Sequence, residues 1–134
     1  MAARPIAPGL FVDDPEGPRL VAARCAACGK SHFPAGRVCP YCAADGASEI
    51  HVGPAGRLKL FTAVTAKPPG YRGEVPYGFG IVELEAGLEV IARLTEPRLD
   101  RLRLGLPMRL VLEPLFTDED GTPVVTYAFA PGAS

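Results

Sequence analysis

From Arg57 onward, apolar and polar positions alternate with a period of two. In the run from Arg57 to Lys67, Leu58, Leu60, Thr62 and Val64 share one side, while Arg57, Lys59, Phe61 and Thr65 take the other side or the ends, which predicts a long strand. Pro68 to Pro76 cannot continue a ladder, because its three prolines lack an N–H and its two glycines favour bends, so a nine-residue loop is expected. Tyr77 to Glu85 predicts a second strand, Glu85-Ala86-Gly87 a tight turn, and Leu88 to Thr95 a third strand. Leu99, Leu102 and Leu104 then recur at near-helical spacing between Pro97 and Gly105, which predicts a short helix. Met108 to Phe116 and Val124 to Phe129 read as strands four and five around a polar turn, Asp118 to Gly121. A five-stranded Greek-key barrel of the OB type has this order, with its helix between strands three and four; a split sandwich would carry the same local signals.

The residues before this barrel pattern read differently. Pro5 to Pro18 predicts an irregular leader, Arg19 to Cys25 a short strand that Lys30 to Phe33 can return against, and His51 to Gly56 a linker. The expected division is a leader over 1–18, a cysteine-bearing unit over 19–52 and the barrel over 53–134.

Composition narrows the function classes. The 134 residues include 15 Gly and 15 Pro, a little over a fifth of the chain against a usual share of about 12%. With 48% hydrophobic residues, 22% charged and a net charge of -1, the chain is nonetheless expected to fold as a turn-rich all-β protein. Its 14 basic and 15 acidic residues create no general field for a polyanion. No apolar run approaches the roughly 18 residues of a membrane span, and Met1 to Arg4 leads to Asp13-Asp14 and not into an apolar signal core, so a cytoplasmic location is expected.

All four cysteines fall in one short segment: Cys25-Ala-Ala-Cys28, ten intervening residues, then Cys39-Pro-Tyr-Cys42. Two Cys-x-x-Cys turns on adjacent loops can meet one metal ion tetrahedrally, which reads as a structural site with Cys25, Cys28, Cys39 and Cys42 as ligands. Zinc is favoured over iron, although four thiolates accept either. Two disulfides would need an oxidising compartment, and a thioredoxin-like redox pair would need a βαβ unit. Four filled positions leave no open site to activate water. Gly29 follows the first pair where a left-handed turn is wanted, and Ala43 at the matching place suggests a slightly different second turn. Arg24, Lys30 and Arg37 would offset the charge of a zinc tetrathiolate or act simply as solvated side chains.

If the cysteines hold metal, catalysis would fall to His32, His51, Ser31, Ser48, Ser134 or carboxylates. No glycine-elbow serine motif and no phosphate-binding loop is present in the sequence, and Glu83, Glu85 and Glu89 alternate as a solvated face would. The chain is therefore expected not to be catalytic alone. Between His51 and Gly73 it carries Arg57, Lys59, Lys67 and Arg72 and no acidic residue, with Tyr71, Tyr77 and Phe79 beside them. This stretch is either an anion site with stacking rings or a solvated edge with core aromatics. Arg98, Arg101, Arg103 and Arg109 are expected on the outer face of the short helix and beyond it.

Arg24-Cys-Ala-Ala-Cys-Gly29, Phe33-Pro34, Cys39-Pro-Tyr-Cys42, Gly56-Arg-Leu58, Pro76-Tyr-Gly-Phe-Gly80 leading into Ile81-Val-Glu83, and Leu104-Gly-Leu-Pro107 together resemble a prokaryotic family known as domain of unknown function thirty-five. The resemblance spans most of residues 19–129 and implies a rubredoxin-like zinc ribbon followed by a five-stranded OB-fold barrel with one short helix. The leader departs from the family's usual helical hairpin with aromatic residues. The resemblance further implies a non-catalytic accessory subunit, bound in a hetero-oligomer to a thiolase-superfamily thiolase or retro-aldolase. Such a subunit would help hold CoA or acyl-CoA as a ligand shared with the partner. The type that accompanies benzoylsuccinyl-CoA thiolase is similar in size. On this reading Arg57, Lys59, Lys67 and Arg72 are candidate contacts to CoA phosphates, and Tyr71, Tyr77 and Phe79 candidate ring contacts. A single-stranded nucleic-acid module or a stand-alone acyl-CoA thioesterase, the latter dependent on His51 or Glu83, are the competing functions.

Overall fold

A computed structural model describes residues 4–84 and 87–132 and contains two β-sheets. The ribbon sheet comprises β2 (Phe11–Asp14), β3 (Gly17–Arg24), β4 (Ser31–His32) and β5 (Ser48–Val52). The second sheet comprises β1 (Arg4–Pro5), β6 (Ala55–Val64), β7 (Tyr77–Glu83), β8 (Glu89–Leu94), β9 (Pro107–Thr117) and β10 (Pro123–Pro131). Its hydrogen-bonded order runs β1-β10-β8-β7-β6-β9, and β9 returns to pair β10, so β6 to β10 close into a five-stranded barrel of the OB kind.

Period-two patterning accounts for the barrel interior. Val82, Val90, Ala92, Leu94, Met108, Leu110 and Phe129 point inward and are essentially buried. The β7–β8 hairpin pairs Glu83 with Glu89, Ile81 with Ile91 and Phe79 with Arg93, which leaves these six residues on its outer face. The proposed turn at Glu85-Ala86-Gly87 lies partly outside the described residues.

Four expectations change. The leader is not irregular: β2 pairs with β3 from Phe11↔Leu20 to Asp14↔Gly17, and β1 lies parallel to β10. The adjacent Phe11 and Val12 are half-buried, and pairing with Leu20 and Arg19 of β3 satisfies the backbone there. The linker shrinks to Gly53-Pro54, since β5 runs to Val52 and β6 begins at Ala55. The short helix is a single 3-10 turn, Leu99–Arg101, from which only the following Leu102 reaches the core; Leu99 and Leu104 stay exposed. Two of the outer arginines of this segment are paired locally, Arg98 with Asp100 and Arg101 with Glu96. Last, Leu58 is buried but Leu60 is 59% exposed, because a bulge between them shifts the register and turns every later β6 side chain to the opposite face.

The ribbon does not fold beside the barrel as a separate bead. Leu20, Ala22 and Val52 belong to one buried cluster with Leu58, Leu84, Leu110 and Phe129, and Phe33 meets Tyr127 edge-on at 5.5 Å. At the other end, Arg4 of β1 is ion-paired to Asp118 in the β9–β10 turn. The Asp118 carboxyl is held below the usual carboxylate range, first by the N–H of Glu119 and then by Arg4. A depressed carboxyl contributes stability above its ordinary value, and that contribution is lost as pH falls through the depressed one. Asp118→Asn should therefore lower the urea midpoint at about pH 7, and the gap to the parent should close toward about pH 2. A gap independent of pH would remove the ion pair as its cause.

Candidate metal centre and outer barrel face

β3 ends at Arg24 and delivers Cys25 directly into a tight knuckle. Cys25 N–H donates to the Lys30 carbonyl and Gly29 N–H donates to the Cys25 carbonyl, both at 2.9 Å. The second knuckle repeats this pattern, with Cys39 N–H to the Ala44 carbonyl and Ala43 N–H to the Cys39 carbonyl, again at 2.9 Å. Ala43 sits at φ 65° where Gly29 sits at φ 76°, so the two turns are alike and not different as the alanine suggested. An alanine there costs about 1–2 kcal/mol of backbone strain, which the paired knuckle geometry overcomes.

The knuckles bring all four sulfur atoms within 4.8 Å of one another. Cys25 Sγ lies 3.5 Å from Cys42 Sγ, and Cys28 Sγ lies 3.6 Å from Cys39 Sγ. A tetrahedral zinc site with Zn–S bonds of about 2.3 Å has S···S edges of about 3.8 Å, so the quartet matches it, whereas a disulfide needs about 2.05 Å. The N–H groups of Cys28 and Tyr41 point at Cys25 Sγ and Cys39 Sγ, at 3.5 and 3.4 Å. The Cys25 thiol is lowered to about 6, chiefly by the Cys28 N–H. The Cys42 thiol is pushed up to about 11: the Ala44 N–H favours its thiolate, but the neighbouring Cys25 sulfur, burial and the other two sulfurs outweigh it. Four sulfurs this close cannot all ionise without a cation among them, and the donor set fits one zinc ion.

The remaining polar candidates do not converge. His32 is buried in β4 and its Nε2–H donates to the Gly36 carbonyl at 3.1 Å, while Nδ1 has no hydrogen-bond partner among the described residues. His51 pairs with Glu49 at 3.1 Å on the exposed side of β5. Glu83 and Glu89 stand opposite each other on the outer hairpin face, and Glu85 and Ser134 lie outside the described residues.

The seven candidate CoA contacts separate into three places. Arg57 and Lys59 are exposed at the start of β6, where Arg57 Nη1 donates to the Gly105 carbonyl at 3.2 Å. Lys67, Tyr71 and Arg72 lie on the loop beyond the other end of β6. At about 3.3 Å per residue, the strand from Arg57 to Val64 puts roughly 20 Å between these cation pairs, too far for one phosphate group.

On the loop, the Tyr71 hydroxyl accepts from Arg93 Nη1 at 2.6 Å and donates to the Glu74 carbonyl at 2.9 Å, while Arg93 Nε donates to Glu113 at 2.7 Å. Arg93 also lies over the Tyr77 ring at 4.7 Å, Tyr71 and Tyr77 are 5.0 Å apart, and Arg72 covers Phe116 at 4.3 Å. These rings and cations fasten the loop to the barrel. Phe79 belongs to a third place, an open groove of about 240 Å³ on the outer face, shared with Leu60, Phe61, Thr62, Ile81 and Ile91.

Sequence reasoning missed Arg93, Glu113, Leu60 and Ile91. The hairpin signal carried two of them. Equal steps outward from the Glu83–Glu89 pair bring Ile81 opposite Ile91 and Phe79 opposite Arg93. Leu60 and Glu113 needed the bulge and the barrel closure.

Residues 15–47 match the family pattern described as ChsH2, rubredoxin-like zinc ribbon domain, and residues 49–113 match that described as ChsH2, C-terminal OB-fold domain. A DUF35 domain-containing scaffold protein of Pyrococcus furiosus is 30% identical over 114 residues, covering 84% of this chain and 83% of the relative. Benzoylsuccinyl-CoA thiolase subunit BbsA of Thauera aromatica is 28% identical over 116 residues, covering 87% of this chain and 78% of that one. A chain of a solved structure entitled Ltp2-ChsH2(DUF35) aldolase superposes with a TM-score of 0.62 at 28% identity, covering 86% of each chain.

Proposed function

The chain belongs to the DUF35 family of ChsH2-type zinc-ribbon and OB-fold proteins, and from that premise we propose that it is an accessory subunit of a thiolase-superfamily enzyme, a thiolase or an aldolase acting on acyl-CoA. The observation that carries this reading is the likeness, over both ribbon and barrel, to a chain from an aldolase assembly and to a thiolase subunit. Cys25, Cys28, Cys39 and Cys42 hold a structural zinc ion whose four ligands leave no position for substrate. The ion's role is to brace β3 and β5, which the barrel core also uses. Nucleophile and base are supplied by the partner.

Direct help in holding CoA is the finer part of the proposal. The loop after an OB barrel's first strand is one of its usual binding elements. Lys67 and Arg72 on this loop are the phosphate contacts, and Tyr71 and Tyr77 hold the loop in place beneath them. Arg57 and Lys59, at the far end of β6, are left for contacts to protein or solvent.

Co-expression with the thiolase-superfamily chain of the same genome tests the reading. The two should co-elute in size-exclusion chromatography, and omission of this chain should destabilise the partner or lower its activity. Separate elution with the partner's activity unchanged would refute the proposal.

A further inference from the structure

We propose that the outer face of β7 and β8 is where the barrel docks on its catalytic partner, its groove receiving an apolar side chain that projects from the partner beside a carboxylate. The inference rests on the accessory-subunit reading and adds to it the place and chemistry of the contact.

Three of the large apolar side chains that the fold leaves exposed meet here: Leu60 at 59%, Ile91 at 60% and Phe79 at 38%. They are brought together by register. Leu60 opposes Ile81, Ile81 opposes Ile91, and Phe79 stands one step along between Thr62 and Arg93. The bulge after Leu58 is what turns Leu60 outward, and Gly80 lines the groove beside it. The same strands form the face with which OB barrels take their ligands.

Size decides what enters. Pockets that bury a small organic ligand measure roughly 300–1,000 Å³, and this groove is about 240 Å³. It suits one or two side chains of a protein surface. A second copy of this chain would have to seat its own exposed Leu60 or Ile91 in the facing groove, and its self-association is an outcome that the test separates.

The surround has the anatomy of an interface, an apolar centre inside a polar rim. Glu83 and Glu89 mark the turn end, and the Arg93–Glu113 pair with Tyr77 marks the loop end. Lys59, beside Leu60 at the bulge, is exposed and has no carboxylate within ion-pair distance among the described residues, so a partner carboxylate matches it at that edge, while Glu83 and Glu89, equally outside these ion pairs, match a cation at the turn end.

The test uses the full zinc-bound chain with its co-expressed catalytic partner. Ile91→Asp places a charge at an already exposed position, so zinc content and melting temperature should hold while partner affinity falls at least about tenfold. Leu99→Asp, at an exposed leucine on the 3-10 turn that does not line the groove, should bind as the parent does, and Lys59→Glu should slow association. If Ile91→Asp binds like the parent, the docking face is wrong and the accessory reading stands; if the parent itself does not bind, both fall. Two further results would overturn the inference. One is parent self-association that Ile91→Asp abolishes. The other is loss of acyl-CoA affinity in Ile91→Asp with partner binding intact. Should Ile91→Asp not fold, Ile91→Ala combined with Leu60→Ala makes the same comparison, with several-fold weaker binding expected.

Discussion

Cys39→Ser is expected to lower zinc from about one ion per chain to near none and to unfold far more than the knuckle around it. Cys39 is 1% exposed, and its sulfur lies 3.6 Å from Cys28 Sγ, so the variant removes a buried member of the quartet. Metal binding and folding are one equilibrium in such small units, with apparent zinc affinities of about 10–16 kcal/mol in isolated fingers. That exceeds or equals the whole stability of a typical domain, about 5–15 kcal/mol.

The damage spreads because Leu20 and Ala22 on β3 and Val52 on β5 are packed in the barrel's cluster. Freeing the ribbon would expose Leu58, Leu84 and Leu110 on the barrel side. Metal analysis and thermal unfolding by far-UV circular dichroism should therefore move together, with the main transition itself shifted down. Unchanged zinc stoichiometry would remove the tetrathiolate assignment. Zinc loss with an unshifted transition would mean that the barrel stands without the ribbon.

A comparable loss should follow Gly80→Ala, a change of one methyl group on an outwardly unremarkable strand. Gly80 is not in the left-handed region, so the reason is space. A Cβ there would collide with the Leu60 carbonyl oxygen and sit 3.0 Å from its carbon, both backbone atoms of the paired strand. Side chains at such distances could rotate away; a backbone carbonyl at a bulge cannot move without parting β6 from β7. Overpacking of this kind costs about 1–3 kcal/mol, occasionally more, and the backbone contact puts Gly80→Ala at or above the top of that range. At roughly 3–6 °C per kcal/mol for a chain of this size, the melting temperature should fall by about 10 °C or more. Gly36→Ala is the control. Its Cβ would find only His32 Nε2 at 3.9 Å, so it should be neutral or slightly stabilising. Equal behaviour of the two variants would contradict the close approach of β6 and β7.

The same bulge separates what could be read along the chain from what could not. Leu58 and Leu60 share a face in any regular strand, and nothing within Arg57-Leu-Lys-Leu-Phe marks an extra residue. The clue lay in the partner strand, where Tyr77-Gly-Phe-Gly80 offers a glycine opposite Phe61. Glycine inside a strand often signals a bulge or a close backbone approach. The cations of β6 and its loop tell a similar story. They are near in sequence, yet an extended strand carries them to opposite ends, and closure of the barrel supplies Arg93, Glu113 and Phe116 to occupy Tyr71, Tyr77 and Arg72.

Local chemistry by itself determined the all-β class, the succession of strands along the chain, the long loop and the cysteine quartet, because strand alternation, proline's missing N–H and a Cys-x-x-Cys turn act over a few residues. Tertiary structure decided that the leader pairs with β3, that ribbon and barrel share one core, which face Leu60 shows, and which side chains fasten the loop. Each of these depends on register between strands distant along the chain. Such register is set by packing and closure of the whole sheet, and no short stretch of sequence carries it.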